Sequence, residues 1–494
     1  MTRTPALYLP LAAPVAAAVI SALLGRRTAA WAGVGAAASV LAAGAWLAGT
    51  VRGGPIVAGL LRADALTAFM LIVVGAVATI ACWAGVHHLA DEAAAATDRR
   101  YLILVQLFIT AMSLAVLADN LGLLWVAVEA TTIVTAFLVG HRRSRASVEA
   151  AWKYVVLCSV GIAIAFLGTA CVYAAAVAAG AHGSAALNWT NLTGQAADLD
   201  PDLMRLAAGL LVLGFGTKAG LAPMHAWLPD AHSQAPAPVS ALMSGVLLSV
   251  AFYAILRYKT ITDAVLGHGY TRTLLLVAAL ASLAVAAALL LAQRDYKRML
   301  AYSSIEHMGL VALGTAIGGR LAITAVLLHV LGHGLSKAVA FCGAGQLVTA
   351  TGSSRLAAVR GLAARYPALA ASFGLALLAL LGLPPFSLFA SELGIARAGL
   401  AAGQGWVIAA AFALVLVAFA AVARHGGRIL LGPPDPTPTI DPAASAPTAG
   451  AIRLRPAAIT PLVIGLVAAA ALGISLGPLQ ELLQAAATTI LLGR

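Results

Sequence analysis

Residues 214–245 read GFGTKAGLAPMHAWLPDAHSQAPAPVSALMSG, and this stretch decides the reading of the chain. It opens as an apolar helix, carries Lys218 in mid-run, and then meets Pro223, Pro229, Pro236 and Pro238, with His225, Asp230 and His232 between them. Proline has no amide N–H and clashes with the preceding turn, so the run breaks a helix and frees carbonyls that need other partners. At lipid depth, a break of this kind is tolerated only where protein covers it or where it lines a water-filled cavity.

The rest of the chain sets the lipid context. Its 494 residues are 62% hydrophobic and only 10% charged, against roughly 25% charged in a soluble domain. Apolar runs of about 18 residues or more recur from end to end, each able to cross ~30 Å of hydrocarbon. Alternating segments of about 10 residues, the mark of a membrane barrel, do not occur. The fold class is therefore an all-α polytopic membrane protein. A net charge of +12 would suit nucleic acid if it were clustered. Here the basic residues are scattered through short inter-helix loops and act as topology signals, so no nucleic-acid partner is expected. Arginine outnumbers lysine, as suits an Ala- and Arg-rich bacterial genome. Cys82, Cys158, Cys171 and Cys342 lie in apolar runs without CxxC spacing and read as small hydrophobes, not as ligands of zinc or an iron–sulfur cluster. The first segment, YLPLAAPVAAAVISALLGRR, has only Arg3 before it and is read as a retained helix, not a signal peptide.

About fourteen spans are expected from the apolar runs. The basic loops GRR, DRR, HRRSR, QRDYKR and ARHGGR fall on one side if the N-terminus faces outside, which places both termini outside. Two loops are longer: the polar segment 180–202 and a Pro/Ala/Thr-rich linker, expected over 432–458 on the cytoplasmic side. A second proline-broken helix with a nearby charge lies at 372–395, ending LLALLGLPPFSLFASELGI. Corresponding broken helices in two halves point to an inverted repeat around an ion path.

An ionisable side chain at mid-bilayer costs about 2.5–3.5 kcal/mol on insertion scales and marks function by default. Glu129, in LGLLWVAVEATTIVTAFLVG, and Lys218 are such residues, and each is the natural partner of the other. The blander readings are a protonated glutamate bonded to a neighbouring helix and a lysine snorkelling to an interface. His329, His333 and Lys337 recur every four residues and form one drifting stripe on a helix. A metal pair, a proton relay, and histidines bonded to carbonyls at a bend near Gly332 and Gly334 all fit that spacing. A third ligand in the HEXXH pattern is missing, and this argues against the metal. Glu392 follows the Pro384-Pro385 break, while Glu306 and His307 lie one turn into the tenth span, in the path or at its cytoplasmic end. With no phosphate loop, cofactor fingerprint or nucleophile–base set, the row reads as a proton or cation path, and the chain is expected to bind no cofactor and no metal. A membrane scaffold without conduction is the reading from a different class, and the cost of inserting these charges argues against it.

At these residues the chain resembles a family. GTKAGLAPMHAWLPDAHSQAPAPVSALMSGVL, WVAVEAT, QRDYKRMLAYSSIEHMG, HGLSKAVAFCGAGQL and GLPPFSLFASE are similar to the antiporter-like subunits of respiratory complex I, Mrp-type cation/proton antiporters and membrane-bound [NiFe]-hydrogenases. The wording is nearest to the hydrogenase-4 component F type. The resemblance covers about residues 60–430. It implies fourteen helices with two inverted five-helix repeats, at 99–260 and 261–431, flanked by helices 1–3 (1–98) and a final helix (459–494). It implies that Glu129 and Lys218 form the family's pair, and that His333, Lys337 and Glu392 occupy its second-half charged positions. His225 is a candidate bridge between the halves, and His232, Ser249 and His307 are accessory candidates. Ser249 stands where many members have an eighth-helix lysine or histidine, which puts the link between the halves in doubt. With the chain ending at Arg494, the long lateral helix of some complex I members is not expected. The implied function is proton translocation in the bacterial inner membrane, coupled to electron transfer in a peripheral hydrogenase or dehydrogenase arm whose partner subunits hold nickel–iron and iron–sulfur centres. An Mrp-type antiporter subunit is the alternative, and the ion, H⁺ or Na⁺, stays open.

Overall fold

Long apolar runs can satisfy their backbone N–H and C=O groups at lipid depth only within a helix, and helices account for nearly all of the architecture. The computed structural model describes residues 5–88, 95–433 and 456–491. In chain order come α1 (Pro5–Leu23), α2 (Arg26–Thr50), the hairpin β1 (Ile56–Ala58) and β2 (Leu61–Ala63), α3 (Ala65–His88), α4 (Ala95–Leu117), α5 (Leu121–Val139) and α6 (Arg145–Ala178). They are followed by α7 (Trp189–Gly194), α8 (Pro201–Ala219), α9 (Trp227–Gln234), α10 (Ala237–Leu242), α11 (Leu248–Leu266), α12 (His268–Leu291), α13 (Tyr296–Ile317) and α14 (Gly319–Thr351). The chain continues with α15 (Leu362–Arg365), α16 (Pro367–Leu380), α17 (Ser387–Ala401), α18 (Gly405–Leu431), α19 (Pro456–Ile474) and α20 (Leu479–Leu491).

Among the described residues, eleven helices are long and apolar enough to cross a membrane, so the chain is a multi-pass membrane protein. The two breaks expected from proline are present, between α8 and α9 and between α16 and α17. The final segment differs from expectation. Gly477, with φ +48°, and Pro478 divide it into α19 and the amphipathic α20, whose Leu482, Leu483, Ala486, Ala487 and Ile490 are buried. The linker expected over 432–458 lies, apart from its ends, outside the described residues.

The core runs along the α10–α11 segment, α13 and α14. The apolar windows of Ala237–Leu266 and Gly319–Thr351 are wholly buried, whereas α6, α12 and α18 expose apolar side chains as lipid-facing helices do. Helix α14 is continuous through Gly332 and Gly334. Gly334 serves close approach: a Cβ on it would stand 2.9 Å from the Gly245 carbonyl oxygen. Gly245 belongs to a π-helical turn, Met243–Leu247, that joins α10 to α11. Small residues of this kind let transmembrane backbones come together.

Ion pairs tie both ends of the bundle. At one end, Arg257 of α11 donates to both oxygens of Asp64 (2.7 and 2.8 Å), Arg62 adds a third bond at 3.0 Å, and Trp189 lies against both guanidiniums. At the other end, Asp230 of α9 joins Lys153 of α6 (3.2 Å) and Arg298 of α13, and Lys297 caps α9 through the Ser233 and Ala235 carbonyls, both at 2.8 Å.

Candidate functional site

Lys218 sits in the last turn of α8, fully buried. The helix stops because Gly220 takes the left-handed conformation (φ +77°), and the Leu221 N–H bonds back to the Gly216 carbonyl at 2.8 Å, as in a Schellman cap. The groups freed by the break are taken by side chains. Trp227 Nε1 donates to the Thr217 carbonyl (2.8 Å), and Ser282 Oγ of α12 accepts from the Ala222 N–H (2.9 Å). The Trp227 ring packs edge-on against Tyr154 at 5.0 Å.

Lys218 Nζ donates to Thr132 Oγ1 (2.6 Å) and to the Tyr154 hydroxyl (2.7 Å). Thr132 in turn donates to Glu129 Oε2 at 2.8 Å, one turn away on α5. The expected pair is therefore connected, but not as a direct ion pair: the hydroxyl of Thr132 stands between acid and base. Glu129 is only half-buried, on the flank of the bundle. A hydroxyl both accepts and donates, so Lys218, Thr132 and Glu129 form one continuous hydrogen-bonded chain.

The second cluster gathers on α13, α14 and α17. His307 Nδ1 and His329 Nε2 lie 3.1 Å apart, and His329 Nδ1 meets Ser391 Oγ at 2.9 Å. The His333 ring lies 5.1 Å from that of His307. Lys337 Nζ donates to the Leu300 carbonyl (2.7 Å) and to Ser303. His307, His329 and Glu392 bring one ligand atom each within 4.8 Å of one another. The α16–α17 break makes room for the acid: a Cβ on Gly382 would stand 2.4 Å from Glu392 Oε2. Glu306 and His307 are buried at the middle of α13, nearly three turns in. This corrects the one-turn expectation, because α13 begins earlier, at Tyr296.

The accessory candidates divide. His225 lies half-buried in the first break, with Nδ1 buried and unpartnered, and it shares no hydrogen bond with Lys218. The hydroxyl of Ser249 is likewise buried without a partner. His232 is wholly buried with both ring nitrogens unpartnered, and it stacks on Phe341 of α14 at 5.0 Å and 18°. His232 on Phe341 is thus one contact between the halves, and the Ser244–Ser304 hydroxyl pair (2.7 Å), next in sequence to the serine that receives Lys337, is another. Sequence reasoning missed the hydroxyls of Thr132, Tyr154, Ser303 and Ser391. The available signal was helical spacing, since Thr132 lies three residues beyond Glu129 and so on the same face.

Residues 118–417 match the family model described as NADH:quinone oxidoreductase/Mrp antiporter, transmembrane. The chain belongs to this family. It is 42% identical over 294 residues to a hydrogenase-4 component F homolog of Methylacidiphilum infernorum, covering 60% of this chain and 62% of the relative. It is 35% identical over 289 residues to NADH-quinone oxidoreductase subunit N of Desulforudis audaxviator, covering 58% and 56%. The matches thus span about three fifths of these relatives' length. Among solved structures, the Mrp complex from Dietzia sp. DQ12-45-1b contains a chain that superposes with TM-score 0.86 at 25% identity, covering 99% of this chain and 98% of that one. The antiporter-like fold implied by the sequence motifs is therefore present. The family's relatives are subunits of multi-subunit membrane complexes.

Proposed function

We propose that this chain is a proton-translocating membrane subunit of a multi-subunit oxidoreductase complex of the hydrogenase-4 or complex I type. The observation that carries the reading is the Lys218–Thr132–Glu129 hydrogen-bonded chain, placed at lipid depth where an unconnected charge would be a pure cost. The second cluster extends the same chemistry through His307, His329, His333, Lys337 and Glu392, and His232 stands where the halves meet. Separating the acid from the base leaves Lys218 without its counter-charge in an apolar site, which favours release of its proton. The released proton moves toward the second cluster, whose hydroxyls and imidazoles can each accept and pass one on.

Other membrane subunits complete the arrangement. A half-buried carboxylate at mid-span on the flank of α5 calls for cover by protein, and a neighbouring subunit supplies it. Electron transfer, with nickel–iron and iron–sulfur centres, belongs to a peripheral arm in this reading. The membrane is the bacterial inner membrane, with both termini outside, on the strength of the basic loops.

The test is proton uptake by proteoliposomes holding the assembled complex. Lys218→Ala is expected to abolish uptake per electron transferred, and wild-type uptake in that variant would remove the reading. The Mrp-type antiporter is the second reading, supported by the superposition with the Dietzia complex. A sodium requirement and small membrane subunits that copurify without a redox arm would select it.

A further inference from the structure

We propose that His307, His329 and Glu392 form a binding site for a zinc-class divalent cation, and that a cation bound there blocks the second half of the path. The inference rests on the translocation reading only for its consequence. The site itself stands on its geometry.

Three observations carry it. The first is convergence: one ligand atom from each of α13, α14 and α17 lies within 4.8 Å of the others. The His307 Nδ1–His329 Nε2 separation is 3.1 Å, close to the roughly 3.3 Å that two nitrogens adopt on one tetrahedral zinc with bonds of about 2.0–2.1 Å. An ion would take the place of the shared hydrogen, with a small widening of the pair. The second is support: the other ring nitrogen of His329 is held by Ser391 Oγ at 2.9 Å, the kind of outer hydrogen bond that sets the orientation of a metal-ligating imidazole. The third is room: Gly382 carries no side chain where the Glu392 carboxylate lies.

The donor set selects the ion. Two imidazole nitrogens and one carboxylate suit zinc and neighbouring transition metals, while sodium, magnesium and calcium demand oxygen. This cluster is therefore a poor sodium site, and sodium coupling, if it occurs, uses other residues. Three protein ligands leave a fourth position open, as in zinc sites that keep a water. A metal would pin α13, α14 and α17 together and occupy the nitrogens that otherwise pass the proton. His333, four residues beyond His329, is not a ligand, so the i,i+4 histidine pair is not the metal pair.

The experiment is zinc binding to the full chain in lipid nanodiscs, read by equilibrium dialysis and by X-ray absorption at the zinc edge. One equivalent is expected, with two imidazoles and one carboxylate in the spectrum. His307→Gln, His329→Gln and Glu392→Gln should each weaken binding at least about ten-fold, while His333→Gln should bind as wild type. A zinc-induced rise in melting temperature in the wild type, absent in Glu392→Gln, covers the case of a histidine variant that folds poorly. No stoichiometric zinc, or equal loss in His333→Gln, overturns the site. Zinc bound as described in a chain whose complex pumps normally with Lys218→Ala leaves the metal site standing and removes the translocation reading. Failure of zinc alone does the reverse.

Discussion

Lys218 and Glu129 are joined through one hydroxyl, that of Thr132, which accepts from the lysine at 2.6 Å and donates to the carboxylate at 2.8 Å. Valine at this position keeps the shape and removes both bonds. Hydrogen bonds to charged groups contribute about 1.5–3 kcal/mol each, so Thr132→Val is expected to cut proton translocation per turnover by roughly ten-fold or more. Thr132→Ser, which keeps the hydroxyl, should stay near wild type. The assay is acidification of proteoliposomes normalised to electron transfer, and equal activity in the two variants would mean that the hydroxyl does not relay.

His232 separates packing from proton chemistry. Its ring stacks on Phe341 while both nitrogens stay buried and unpartnered. His232→Phe keeps an aromatic ring against Phe341 and removes the nitrogens. Thermal stability in detergent should hold, and coupled translocation should fall by at least several-fold. If translocation holds as well, the crossing belongs to the Ser244–Ser304 pair instead.

Much of this was legible in the residues, for physical reasons. Apolar length determines helices, and a charge at lipid depth announces itself by its cost, so Glu129, Lys218, Lys337 and Glu392 stood out at once. Thr132, Ser303 and Ser391 did not, because hydroxyl residues are common in membrane helices and carry no insertion signal of their own. His307 reads as close to an interface because the polar first turns of α13, from Tyr296, hide where the helix begins. Arg62, Asp64 and Arg257 give no such signal for another reason: they lie at or near the ends of apolar runs, where charges are ordinary, and only tertiary packing buries them. The choice of His232 over Ser249 depends on which side chains of one half reach the other, and spacing along a single helix does not contain that.

The Asp64–Arg257 bond predicts a pH signature. Asp64 lies just outside the α3 span. Burial alone would push its carboxyl up, but the Arg257 and Arg62 guanidiniums and the Thr67 N–H outweigh burial and hold it well below the usual carboxylate range. A carboxyl depressed in the folded state adds stability above its unfolded value, near 3.9, and loses it as pH falls through the folded value. Arg257→Met should therefore lower unfolding free energy by about 3 kcal/mol at neutral pH, because it strips a buried charge of its main partner. The gap to wild type should be largest at neutral pH and shrink steadily as pH falls toward the wild-type folded value of Asp64. A gap that widens in acid would contradict the assignment.

Two glycines separate backbone strain from displacement of Glu392. Gly382 (φ +62°) and Gly403 (φ +71°) both occupy the left-handed region, where alanine costs roughly 1–3 kcal/mol. A Cβ on Gly403 meets nothing within 4 Å, whereas one on Gly382 stands 2.4 Å from Glu392 Oε2. Gly403→Ala is expected to lower the melting temperature while translocation per electron stays at the wild-type level. Gly382→Ala should lower the melting temperature by at least as much and also reduce translocation several-fold, because the carboxylate must leave its place beside His307 and His329. Melting curves and proton uptake measured on the same preparations decide it. If the two variants lose translocation equally, strain is the cause and the position of Glu392 is not. If neither loses it, Glu392 does not belong to the path.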